Sequence, residues 1–184
     1  MIDEMLNEAL AVKASADCVV SEDAIQDAAK RMGNQISQDL ADKNPLVITV
    51  MNGGLYPAGL LLPHITIPMQ LDYLHATRYR GETEGGELVW ARTPTYDLTG
   101  RHVLIIDDIL DEGYTLEAIL RCCLTQEPAS VSTAVLANKL HDRGPRPDVT
   151  YCGVDVPDRY VFGCGMDYKG YWRNLSAIYA VSEG

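Results

Sequence analysis

Apolar positions along this chain follow two periods. Over residues 20–42, Ile25, Ala28, Ala29, Met32, Ile36 and Leu40 fall on one helical stripe, which predicts an amphipathic helix. Ser21 suits the N-cap, Glu22 and Asp23 suit the positive end of the dipole, and Val20 is placed to staple onto Ile25. Residues 45–51 and 103–106 are short, nearly continuous apolar runs rich in Val and Ile, and 130–136 reads as another apolar strand. Such runs read as strands buried on both faces. Residues 151–154 predict a shorter strand. Residues 71–79 and 87–92 predict two more, flanking a stretch at 80–86 whose Gly and charge suit a mobile flap. Asn52-Gly53-Gly54 interrupts the pattern before a segment at 56–62 that can turn helical, and 97–100 reads as a turn. Leu116, Ile119 and Leu120 return to helical spacing. Strands alternating with helices predict an α/β fold with a mainly parallel central sheet flanked by helices.

Composition narrows the setting. With 184 residues and 47% hydrophobic content, the chain is expected to form one domain over 1–184 with a real core and a small subdomain. The formal charge of −11 argues against bulk attraction to nucleic acid, so an anionic ligand would need local loop amides, a few Arg and Lys side chains and a cation. No apolar run approaches a membrane span. The acidic start Met1-Ile2-Asp3-Glu4-Met5 lacks the basic region and apolar stretch of a signal peptide, which predicts a cytoplasmic protein. The five cysteines form no Cys-x-x-Cys pair and are read as reduced. The four histidines show no metal spacing.

The segment 103–116 carries the most chemistry. Its apolar run meets two adjacent carboxylates, Asp107 and Asp108, where the strand is expected to stop. Asp111 follows, then Gly113 and Thr115, then the helical spacing. A strand that ends in acids and turns through Gly into a helix predicts a binding site at the carboxyl edge of an open α/β sheet. The helix start leaves N–H groups for a phosphate, and the acids suit ribose hydroxyls or a hydrated Mg²⁺. A receiver domain also places acids at a strand end. It would need further acid, Thr and Lys positions on later strands, and it has no use for Gly113 and Thr115. Asn52-Gly53-Gly54 reads as a turn when taken alone. Beside the acidic loop on one sheet edge, its amides could approach a diphosphate.

Four apolar residues, two acids, two apolar residues, then Asp-x-Gly-x-Thr resembles the phosphoribosyl-pyrophosphate (PRPP) loop of the type I phosphoribosyltransferases. Glu112 and Tyr114 fill the variable positions. Relatives often carry Thr or Ser at the position of Glu112, so only its backbone N–H is expected to serve the 5′-phosphate. The resemblance extends over roughly residues 45–183 and is nearest to the hypoxanthine-guanine enzymes. Asn52 stands where they commonly carry Lys before Gly-Gly, which removes one positive charge near the pyrophosphate or the subunit contact. Arg78-Tyr79 stands where they carry Ser-Tyr at the start of a catalytic flap.

In the tail, Tyr160 matches the aromatic residue that stacks on the base, and Val161 the residue whose backbone meets the base edge. Asp167 matches a carboxylate that helps position Mg²⁺, and Arg173 a pyrophosphate-binding guanidinium. Lys139 matches the Lys that donates to O6 of the purine. A donor-only ammonium favours a 6-oxopurine over adenine.

The resemblance implies Mg²⁺-dependent transfer of phosphoribose from PRPP to N9 of hypoxanthine or guanine, giving IMP or GMP and pyrophosphate in purine salvage. Asp107 and Asp108 would hold the ribose hydroxyls, directly or through Mg²⁺. Glu112, Gly113, Tyr114 and Thr115 would hold the 5′-phosphate, and Asn52, Gly53 and Arg173 the pyrophosphate. Asp111 would accept a proton from purine N7 or hydrogen-bond to it. The fold implied is the type I phosphoribosyltransferase fold, with a hood built from the N-terminal helical region and the C-terminal tail. Relatives form dimers or tetramers, so a homodimer or homotetramer is expected, with no nucleic-acid or membrane partner. Two alternatives stand beside this reading: a PRPP-sensing regulator of the same superfamily, and a transferase for xanthine or another base.

Overall fold

The computed structural model describes residues 2–78 and 88–182. A six-stranded sheet in the order β4-β3-β2-β5-β6-β7 forms the centre. Its strands are β2 (Leu46–Met51), β3 (Gln70–Arg78), β4 (Leu88–Arg92), β5 (His102–Leu110), β6 (Ser130–Lys139) and β7 (Tyr151–Val156). Every neighbouring pair is parallel except β3 and β4, which run antiparallel at one edge. α2 (Glu22–Asp39) and α3 (Leu55–Leu61) pack on one face, and α4 (Tyr114–Leu124) on the other.

The period of two within the apolar runs assigns each residue to a face. Leu46, Ile48, Val50, Val103 and Ile105 join Leu116, Ile119 and Cys123 of α4. Val47, Leu104 and Ile106 join Met32, Ile36 and Leu40 of the α2 segment and Ala58 and Leu61 of α3. Both faces are covered, so these strands show continuous hydrophobicity and not alternation. Ser21 caps α2, its hydroxyl accepting from the Ala24 N–H at 3.3 Å. The helix is shorter than the stripe suggested, because Val20 belongs to a strand and the chain turns after Asp39. Arg31 of α2 donates to the Cys152 and Gly153 carbonyls of the edge strand β7, at 3.2 and 2.5 Å.

A second sheet joins sequence-distant ends of the chain. β1 (Asp17–Val20) pairs antiparallel with β9 (Ile178–Ala180), which pairs antiparallel with β8 (Val161–Phe162). None of these three short strands has a sequence pattern that announces it. α1 (Ile2–Ser15) lies against the tail: Trp172 donates to the Ala9 carbonyl at 2.8 Å, and Tyr168 and Lys169 donate to Glu8 at 2.8 and 2.6 Å. Val20, Val161, Cys164, Met166 and Ile178 pack with Leu136 and Val156 to seat the small sheet on the end of the large one.

Candidate active site

The sheet order reverses at β2: the chain continues through α3 to β3 on one side, while β5 lies on the other. In open α/β sheets, ligands bind in the crevice outside the strands' carboxyl ends at such a point. A cavity of about 680 Å³ opens there. Asn52 and Gly53 line it after β2, Asp107, Asp108, Asp111, Glu112 and Gly113 line it along and after β5, and Tyr114 and Thr115 line it at the start of α4. Arg173 closes it from the tail.

β5 does not stop at the acids, contrary to the sequence expectation. Its pairing with β2 ends at Ile106, but its pairing with β6 continues through Asp107↔Val135, Ile109↔Ala137 and Leu110↔Asn138. The two carboxylates therefore sit on a held strand, and both line the cavity. Asp107 is only 9% exposed. Burial pushes its pKa well above the usual carboxylate range, and the neighbouring Asp108 charge pushes it further. Burial raises Asp108 too, against the pull of Arg173, whose Nη1 lies 4.0 Å from Asp108 Oδ2. A Cβ on Gly53 would fall 2.0 Å from the same Oδ2, so the Asp108 carboxylate occupies the space that any side chain there would need. The preceding Met51–Asn52 peptide bond is cis.

Gly113 opens α4 in the left-handed region, at φ 86°, and no side chain caps the helix. The first-turn N–H groups of a helix have no intrahelical acceptor, and they carry the positive end of the dipole toward the cavity. Gly113 is also closely covered: a Cβ would lie 2.7 Å from Pro147 Cδ and 2.9 Å from Arg146 Cα. The β6–β7 connection thus braces the loop. Arg146 donates through Nη1 to the Asp111 carbonyl at 2.6 Å, through Nη2 to Asn138 Oδ1 at 2.5 Å, and through its N–H to the Glu112 carbonyl at 3.2 Å.

A second cavity of about 240 Å³ adjoins the first and is lined by Lys139, Tyr160, Val161, Met166 and Asp167. Asp108, Ile109 and Asp111 line both. Lys139, the last residue of β6, is 9% exposed, and its Nζ donates to Asp111 Oδ2 at 2.5 Å. His141 Nε2 meets Asp111 Oδ1 at 2.7 Å. Burial acts to raise the Asp111 pKa, but the Lys139 and His141 contacts outweigh it and hold the carboxyl below its usual value. Tyr160 is 52% exposed; its hydroxyl donates to the Asp167 carbonyl at 3.2 Å, and its ring packs edge-on to Tyr168. Val161 is buried in β8. Asp167 accepts from the Gly170 N–H at 2.7 Å and pairs with Arg173 Nη2. Arg173 Nη1 also donates to the Gly165 carbonyl at 2.7 Å.

Every site residue expected from the sequence and described here lines one of these two cavities, apart from Arg78, whose position is known only as the end of β3. Tyr79 and the flap expected at 80–86 lie outside the described residues. Three further residues reach the site unanticipated: His141, Arg143 and Arg146. Arg143 lines the first cavity and forms a two-pronged pair with Asp158 at 2.5 and 2.6 Å. That hydrogen-bonded pair raises the Arg143 pKa, and the Asp111 and Glu112 charges add to it, so this guanidinium offsets the acid at 112. His141 follows Lys139 across a bend in which its N–H donates to the Lys139 carbonyl at 3.1 Å, a local turn that no sequence spacing records.

Among the described residues, no three His, Cys, Asp or Glu side chains converge into a metal-holding group, and no helix is long and apolar enough to cross a membrane.

The chain matches the model of the phosphoribosyl transferase domain over residues 17–169. It is 34% identical over 166 residues to a hypoxanthine-guanine phosphoribosyltransferase of Streptococcus pneumoniae, covering 90% of this chain and 92% of the relative. It is 31% identical to a hypoxanthine-guanine-xanthine phosphoribosyltransferase of Tritrichomonas foetus, covering 89% and 90%. A hypoxanthine phosphoribosyltransferase from Staphylococcus aureus superposes with a TM-score of 0.87 at 27% identity, covering 92% of this chain and 94% of that one. A mainly parallel sheet with its loops at the switch point, a domain match over most of the length and relatives matched over about nine-tenths of theirs agree: this chain belongs to the phosphoribosyl transferase domain family.

Proposed function

We propose that this protein transfers phosphoribose from PRPP to N9 of a 6-oxopurine, hypoxanthine or guanine, releasing pyrophosphate and serving purine salvage. One observation carries the reading. A polar cavity at a helix N-terminus and a smaller cavity bearing a buried Lys and an aromatic ring share the wall of Asp108, Ile109 and Asp111. Two substrates placed in them would meet at Asp111.

In this reading the α4 start and the backbone of Glu112 to Thr115 hold the 5′-phosphate. Asp107 and Asp108 hold the ribose hydroxyls, and Asn52, Gly53 and Arg173 hold the pyrophosphate. The base lies against Tyr160 with its edge at Val161, and Lys139 turns from Asp111 to O6. The C1′–oxygen bond breaks with its electron pair leaving on pyrophosphate, and N9 bonds to C1′. Catalysis then rests on placement and on charge stabilisation around an electron-poor ribose. With Lys139 turned away, Asp111 accepts the hydrogen bond of N7–H, steadies the positive charge the imidazole gains as N9 bonds to C1′, and takes the N7 proton.

Mg²⁺ fits the donor set. Asp107 and Asp108 are hard oxygen donors, buried, and in need of positive charge. Asp167, already held by Arg173 and the Gly170 N–H, would act from a further distance. Bound together with the oxygens of PRPP, the ion would neutralise the leaving group. A homodimer or homotetramer in the cytoplasm completes the proposal, with the small sheet and tail as the hood over the base.

Pyrophosphate release tests this, with PRPP and Mg²⁺ offered against hypoxanthine, guanine, xanthine, adenine and uracil. Release is expected with hypoxanthine or guanine and not with adenine or uracil. Release with adenine alone would overturn the role of Lys139, and silence with every base while PRPP still binds would favour a PRPP sensor.

A further inference from the structure

We propose that His141 is a positioning residue of the transfer reaction, fixing the Asp111 carboxylate where the two cavities meet. The inference rests on the reading of Asp111 given above and adds the group that keeps it in place.

The hydrogen-bond pattern assigns the imidazole's role. The backbone N–H of Arg143 donates to His141 Nδ1 at 3.1 Å, so Nδ1 is an acceptor and Nε2 carries the hydrogen. Nε2 then donates to Asp111 Oδ1 at 2.7 Å while Lys139 donates to Oδ2 at 2.5 Å. With one donor on each oxygen, rotation of the carboxylate breaks both bonds at once. The His141 side chain is 3% exposed, and that of Asp111 is 43% exposed. The imidazole is therefore shielded from water and the carboxylate it holds is open to a ligand. A hydrogen bond made away from water is the stronger for it.

The two donors differ in what they can do next. Lys139 is a flexible ammonium on the wall of the smaller cavity, and a purine O6 would draw it away from Asp111. His141 is held by the Arg143 N–H behind it, in a connection that Arg146 ties to the Asp111 and Glu112 carbonyls. It is the donor that stays when the base arrives. Without it, Asp111 would be free to rotate at the moment its orientation matters.

Four variants test this by steady-state kinetics with PRPP and hypoxanthine, and by calorimetric PRPP affinity: His141→Leu, His141→Gln, Asp111→Asn and the His141→Leu/Asp111→Asn double. His141→Leu is expected to lower kcat about 10-fold or more while PRPP affinity holds, in line with the cost of a misplaced reacting group. His141→Gln, whose amide nitrogen reaches the same acceptor, is expected to restore most of that loss. In the Asp111→Asn background His141→Leu should cost no more than about two-fold, because coupled residues are not additive. Parent-level turnover in His141→Leu would overturn the proposal. So would a Gln variant no better than Leu, or an undiminished loss in the double variant. Normal turnover in Asp111→Asn alone would instead sink the reading of Asp111, which separates the two failures.

Discussion

The two cavities are built by opposite means. The larger one stands on the ends of β2 and β5, in the middle of the sheet, and its shape is backbone geometry: two Gly-bearing turns, a helix start and a strand that outlasts its neighbour. The smaller one is assembled from the end of β6, the short β8 and the tail, held by side-chain contacts between residues far apart in sequence. The first is set by the fold before any ligand arrives. The second depends on the tail being docked. Substitutions in the first should therefore alter PRPP binding, those in the second should alter base use, and Asp111 between them, with the residue that positions it, should alter turnover alone.

The strongest test of that division is Asp111→Asn. Turnover should fall about 10²-fold or more with PRPP affinity unchanged; a variant that loses PRPP instead would place Asp111 inside the first cavity only. Gly53→Ala comes next. The added Cβ displaces the Asp108 carboxylate, and a misplacement of that order should cost about 10²-fold in kcat/KM for PRPP, with little change in base KM. Equal losses for both substrates would erase the distinction between the cavities. Lys139→Gln should raise the KM for hypoxanthine about 10-fold, the scale of one lost charge-assisted hydrogen bond, and leave PRPP affinity intact. Tyr160→Ala should weaken the base by a few-fold, since about half of that residue already faces water.

The smallest effect is a pH limb. Asp111 sits below its ordinary pKa in the folded protein, so its bonds to Lys139 and His141 contribute stability above the unfolded value of about 4. That contribution is lost as pH falls through the lower folded value. The kcat/KM profile of the free enzyme should show no Asp111 limb above pH about 5. A limb at higher pH that disappears in Asp111→Asn would contradict the pairing.

The same division governs what the sequence discloses. The larger cavity is written in two contiguous stretches, 52–54 and 107–115, where residue type and order already imply a turn, a helix start and acids at a sheet edge. Even there β5 runs past Asp107 and Asp108, because its extent depends on pairing with β6, which local hydrophobicity does not record. The smaller cavity becomes legible only through likeness to known proteins. Tyr160 and Lys139 taken alone are an exposed ring and a lysine, and it is the pairing of Asp17 with Ala180 that brings the tail to its place. His141 escaped because its partner lies 30 residues away and its value lies in a hydrogen bond, not in a spacing. α1 shows no clear stripe, and Met5, Leu6 and Leu10 remain exposed on it.

The antiparallel pairing of β1 with β9 has a consequence for synthesis. Residues 17–20 leave the ribosome early and find their partners only when residues 178–180 follow. β2, β5 and α4 emerge before that, but Arg173, which closes the larger cavity, comes only with the tail. Both cavities therefore reach completion at one late moment, when the last strand of the small sheet pairs with the first.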